Sequence, residues 1–139
     1  MPYNITFENN GCGVVVAWQG IVLGIEILAA NTALYAKAQR HLLRYQIWDF
    51  SSVAAVKYSE DHLRGAAMQD QRAAQEGPQQ LIAIVGSREL LQGAARRYAV
   101  YAKLWAGFES RAFTNMTQAR AWLKDWQWQC VEGHQYALR

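Results

Sequence analysis

An α/β fold, in which helices pack on a single-layer, mixed but mainly parallel five-stranded sheet, is predicted by two features of the sequence. Short β-branched and aromatic runs alternate along the chain with stretches whose apolar residues recur at helical spacing. Serine, asparagine and glycine stand at the joints, where helices are capped and strands turn. The order read from these signals is β-β-α-β-α-β-α-β-α.

The chain of 139 residues, 52% hydrophobic and 18% charged, has the size and balance of one folded domain able to bury a sizeable core. "NITFEN" (4–9) alternates apolar and polar residues, and "VVVAWQ" (14–19) follows a Gly11-Cys12-Gly13 turn, so the two are predicted to form a hairpin. From Gly24 the spacing becomes helical, with Ile25, Leu28, Ala29, Thr32 and Tyr35 on one side. "LLRYQIWDF" (42–50) is the third strand, its continuous apolar run fitting a buried parallel position. Ser59 then opens a helix, with Glu60 and Asp61 at its positive end and small residues such as Ala66 and Ala67 for close packing. That helix stops before Gly77-Pro78.

"QLIAIVG" (80–86) is the fourth strand, and Ser87 caps one long helix whose Leu91, Ala95, Tyr98, Ala102 and Trp105 face inward. "ESRAFTN" (109–115) is the fifth strand. Asn115 and Gln118 resemble a capping box before the last helix, which carries Ala119, Trp122, Leu123 and Trp126 on one face. Residues 1–126 are thus read as one domain and 127–139 as an aromatic C-terminal tail. Trp128 and Tyr136 in that tail are candidates for an interface with a second copy, because such side chains bury much area with few rotors.

The composition excludes several classes. "GVVVAWQGIVLGIEILAA" (13–30) contains Gln19, Glu26 and three glycines and lacks basic anchors, so no membrane span is expected. The first ten residues have no basic stretch ahead of an apolar core, so no secretory signal is expected and the cytoplasm is the default. Cys12 and Cys130 form no disulfide framework and are expected to be reduced thiols. Cys130 and His134 have the spacing of a ligand pair, but no second pair accompanies them, so no metal site and no cofactor are expected.

Residues 71–139 hold nine Lys/Arg against five Asp/Glu, a mild excess whose one cluster is Arg88, Arg96, Arg97 and Lys103 on a predicted helix. Its reading is a solvated helix face, and nucleic-acid binding ranks last. No G-x-S-x-G surrounds a serine, no glycine precedes Lys-Ser or Lys-Thr, and His41, His62 and His134 are not placed to serve a triad. No catalytic residues are expected.

Open α/β sheets bind ligands at the carboxyl ends of their strands. That edge is expected to gather Asp49, Ser51, Ser59, Ser87 and Arg88, where helix N-termini could hold a small anion.

The segments "YQIWDFSSV", "SEDHLRGAAMQDQRAA", "LIAIVGSRELLQGAARRYAVYA" and "SRAFTNMTQARAWL" together resemble the bacterial SpoIIAA-like (STAS/SEC14-type) proteins over roughly residues 3–125. The matching positions are Asp49, Asp70, Arg72, Ala83 to Val85, Gly93, Phe113 and Ala119 to Leu123. The resemblance implies a small α/β domain with one antiparallel edge strand. In the better-known STAS relatives, which are anti-anti-sigma factors, a serine at the start of the helix after the third strand is phosphorylated, and that position corresponds to Ser59. Here the surrounding residues are "KYSEDH" rather than a D-S-S-G-like motif. The SEC14 side of the resemblance implies an apolar ligand. The expectation is a non-catalytic regulatory or interaction module that binds a protein partner, a second copy of itself or a small anion. The alternative is a small-molecule-binding or enzymatic domain with its site at the carboxyl edge of the sheet.

Overall fold

The computed structural model describes residues 2–125. Its elements are β1 (Tyr3–Glu8), β2 (Gly13–Leu23), α1 (Gly24–Lys37), β3 (Tyr45–Lys57), α2 (Glu60–Ala74), β4 (Leu81–Val85), α3 (Arg88–Leu91), α4 (Ala94–Ala106), β5 (Glu109–Phe113) and α5 (Met116–Lys124). The strands lie in the sheet in sequence order, with β1 antiparallel to β2 and every later neighbour parallel. This is the predicted mixed, mainly parallel sheet.

Crossovers of one hand between neighbouring parallel strands place their helices on one face. Accordingly Val14, Val16, Trp48, Ile82 and Ile84 point from the sheet into a core shared with Leu34 of α1, Ala67 of α2 and Ala102 of α4. The alternate strand residues Ile47, Ala83 and Val85 point the other way, against Ala119, Trp122 and Leu123 of α5. A bidentate pair also ties α5 to the sheet edge, with Arg120 Nη1 and Nη2 donating to Glu8 of β1 at 2.8 and 3.0 Å. Trp18 stands in a ladder of rings, 4.8 Å from Tyr3, 5.9 Å from Trp48 and 5.8 Å from Phe50.

Three boundaries differ from those read in the sequence. β2 continues to Leu23 and β3 to Lys57, whereas β4 pairs with β3 only from Tyr45 to Asp49. The ends of β2 and β3 therefore form a two-stranded parallel ribbon beyond β4. Asp49 stands within β3, not at its end. Two bulges on β3 let the ribbon bend: Ala17 and Gln19 pair with Asp49 and Ser52, and Gly20 and Ile21 pair with Val53 and Ala55. The helix predicted after Ser87 is broken in two, because Gly93 adopts φ +80°, outside the helical region.

Cys12 is 1% exposed and disulfide-bonded, so the expected free thiol is not found at this position. Cys130, His134, Trp126, Trp128 and Tyr136 lie outside the described residues. Among the described residues, no helix is long and apolar enough to cross a membrane.

Candidate functional site

Between the sheet and the helices α1, α2 and α4 lies a cavity of about 90 Å³. This is several times the space one water requires. Trp48 and Phe50 of β3 and Ile82 and Ile84 of β4 form its sheet wall, and Ala66 and Ala95 keep the facing helices thin. The lining grades from buried Asn31, Gln46, Trp48 and Ile82 to half-buried Val56, Tyr58, His62 and Ala94. The half-buried group belongs to the end of β3 and the starts of α2 and α4. The cavity thus opens at the carboxyl edge of the sheet, where ligands of open α/β sheets are held.

A buried polar network forms the closed end. Asp70, 1% exposed, accepts from Tyr35 Oη at 2.7 Å and Asn31 Nδ2 at 3.2 Å, and from Tyr98 Oη through its second oxygen. Gln46 Nε2 donates to Tyr35 Oη at 2.9 Å and to Gln80 Oε1 at 2.7 Å, while Gln46 Oε1 accepts from Trp48 Nε1 at 2.7 Å. Burial raises the Asp70 carboxyl above the ordinary aspartate value, against the opposing pull of the bonds from Tyr98, Tyr35 and Asn31. Desolvation, with the Asp70 charge nearby, likewise holds both tyrosine hydroxyls protonated well above their ordinary value. The network fixes three helices and a strand in register behind the cavity.

The open end is built by α2's cap. Ser59 is extended at φ −119° and ψ 169°, and its N–H donates to His62 Nδ1 at 3.0 Å while His62 N–H donates to Ser59 O at 3.1 Å. The imidazole can sit there because Gly24, against which it packs, has no Cβ to occupy the same space. Tyr58 Oη accepts from Arg97 Nη2 at 2.9 Å, and Arg97 Nε donates to Glu60 at 3.0 Å. Tyr101 donates to the other Glu60 oxygen at 2.5 Å.

A second, wide groove of about 820 Å³ runs along α3, the start of α4 and β5. Ser87, Arg88, Arg96, Ser110 and Arg111 are among the residues that line it. Arg111 stacks over the Trp122 ring, its guanidinium carbon 5.6 Å from the centroid.

No family model matches the chain, and no curated protein is significantly similar to it in sequence. Solved structures do share its architecture. An uncharacterized protein of the DUF3478 family with a SpoIIAA-like fold, from Shewanella loihica, superposes with a TM-score of 0.51 at 15% identity, covering 87% of this chain and 91% of that one. The chain has a SpoIIAA-like fold. The anti-sigma factor antagonist SpoIIAA in its unphosphorylated form gives a TM-score of 0.48 at 14% identity, covering 88% of this chain and 97% of that one. The Bacillus cell fate determinant SpoIIAA in its phosphorylated form gives 0.47 at 14%, covering 87% and 98%.

On this SpoIIAA-like sheet the residues singled out in the sequence occupy three separate places. Ser87 and Arg88 share the wide groove, where Ser87 Oγ caps α3 by accepting from Leu90 N–H at 3.1 Å. Asp49 and Ser51 bond to one another across the first bulge, with Asp49 Oδ1 accepting from Ser51 N at 2.9 Å and Oγ at 2.5 Å. Ser59 is exposed and engaged with His62. Neither Asp49, Ser51 nor Ser59 lines the groove that holds Ser87 and Arg88. The basic cluster on the predicted helix is divided, since Arg88 lies on α3, Arg97 pairs with Glu60 and Lys103 pairs with Glu109. Among the described residues, no group of three His, Cys, Asp or Glu side chains could hold a metal ion.

The cavity residues were missed as a group. Their signal was present: Asn31 lies on the buried face of α1 with Leu34 and Tyr35, and Asp70 on that of α2 with Ala66, Ala67 and Ala73. A polar residue at a core-facing helical position requires a buried partner.

Proposed function

We propose that this protein is a small-molecule-binding module, in which a compact, mainly apolar ligand occupies the cavity between the sheet and α1, α2 and α4. The observation that carries this reading is the cavity itself: apolar walls, a polar end whose hydrogen bonds fix its shape while leaving the buried Asn31 Oδ1 without a partner among the described residues, and an opening at the carboxyl edge of the strands. Apolar pockets with a few placed polar groups are the usual form of small-molecule sites. Any regulatory or partner-binding role of the domain would then respond to occupancy of this site.

The test uses benzene as an apolar probe and Trp48, whose indole lines the cavity, as the reporter. Benzene is expected to change Trp48 fluorescence saturably and to raise unfolding stability by about 1.4 kcal/mol at ten times its Kd. Ala95→Phe, which places a ring in the cavity, is expected to remove both effects. Equal benzene binding by wild type and Ala95→Phe would contradict the assignment.

A second reading is favoured by the groove. Arg88 and Arg96 form no ion pair among the described residues and lie beside Arg111 and Ser87. This is an arrangement suited to a small anion or an acidic partner segment. Loss of inorganic phosphate or acidic-peptide binding in Arg88→Ala and Arg96→Ala, with benzene binding unchanged, would assign that role to the groove.

A further inference from the structure

The open end of the cavity carries two hydrogen-bond donors whose protons have no acceptor among the described residues. His62 is one. Its Nδ1 accepts the Ser59 N–H at 3.0 Å, so the neutral ring carries its proton on Nε2, and no group among the described residues bonds to that nitrogen. Tyr58 is the other. Its Oη accepts from the Arg97 guanidinium at 2.9 Å, which leaves its own proton to donate and makes it a stronger donor. Both side chains line the cavity and both are half-buried. The Glu60 carboxylate is already taken up by Arg97 and Tyr101. Deeper in, every wall but the Asp70 network end is apolar.

We infer that the ligand is a short apolar molecule with a hydrogen-bond acceptor, a carbonyl or carboxylate oxygen, at the end that meets Tyr58 and His62. This rests on the cavity reading above and specifies its ligand class. A donor-headed molecule such as an amine would leave both protein donors unpaired and bring an ammonium towards the Arg97 guanidinium. The acceptor head satisfies both donors at once while its hydrocarbon body lies against Trp48 and Ile84. Such donors discriminate strongly, because a ligand lacking their partner leaves them desolvated and unpaired.

The intact protein is titrated with benzene, pentanoate, 2-pentanone and pentylamine, and binding is read from Trp48 fluorescence. Pentanoate or 2-pentanone is expected to bind at least about tenfold tighter than pentylamine. Their ranking tells a carboxylate site from a carbonyl site. Tyr58→Phe removes only a hydroxyl, and His62→Phe keeps a ring against Gly24 while removing both nitrogens. Each is expected to weaken the acceptor-headed probe about tenfold more than it weakens benzene. Imidazole ¹⁵N spectra are expected to show His62 as the Nε2–H tautomer. Benzene binding without preference for an acceptor head, an unchanged Tyr58→Phe, or an Nδ1–H tautomer would overturn the inference while leaving the cavity reading intact. Failure of benzene itself to bind would overturn both.

Discussion

At the scale of single residues, Asp70 is the most demanding group in the protein. It is buried, and three donors converge on it without a cation among its bonds. Burial raises its folded pKa, so the unfolded chain releases the proton first, from about pH 4 upward. Between the unfolded and folded values the native state holds more protons. Stability from this group is therefore complete below about pH 4 and declines as the pH rises through the folded value, by at most about 1.4 kcal/mol per pH unit. Asp70→Asn removes the titration. Urea unfolding of both proteins across the pH range is expected to show the variant's deficit shrinking as the pH rises. A deficit that is constant or grows with pH would show that burial does not raise the Asp70 pKa.

At the scale of elements, what was legible in the sequence and what was not divides along the nature of the signal. β4 was legible because five successive apolar residues, Leu81–Val85, are all buried. The starts of α3 and α5 were legible because Ser87 and Asn115 accept from the backbone N–H three residues on, at 3.1 and 2.9 Å. The end of β3 was not. The strand was read only to Phe50, yet pairing with Gln19–Leu23 of β2 carries it to Lys57, and the first of two bulges takes up the polar stretch from Asp49 to Ser52. The break before α4 was also hidden, since a glycine inside a helical pattern does not announce its φ. Gly93→Ala forces a Cβ into φ +80° and against Arg97, so a loss of about 1 kcal/mol is expected in urea unfolding. A stabilised variant would mean that α3 and α4 fuse into the single helix read from the sequence.

At the scale of the whole molecule, the hydrophobic rhythm of the chain sets the order and face of every element, and the SpoIIAA-like sheet follows from it. The site does not follow in the same way. Asp49, Ser51, Ser59, Ser87 and Arg88 all lie on elements that approach the carboxyl edge, but strand bulges and capping bonds distribute them over three places. The cavity depends instead on packing between α1, α2 and α4, helices far apart in sequence, and on small residues at Ala66 and Ala95 that leave space unfilled. Local periodicity reports which face is buried. It does not report whether the buried face is filled.

Diffraction from a crystal of the protein under xenon pressure tests that unfilled space most directly, because xenon enters apolar cavities in preference to polar grooves. The expected result is a xenon peak between Trp48, Ile84 and Ala95. Side chains closed over the space with no xenon there, or xenon only along β5, would contradict the account.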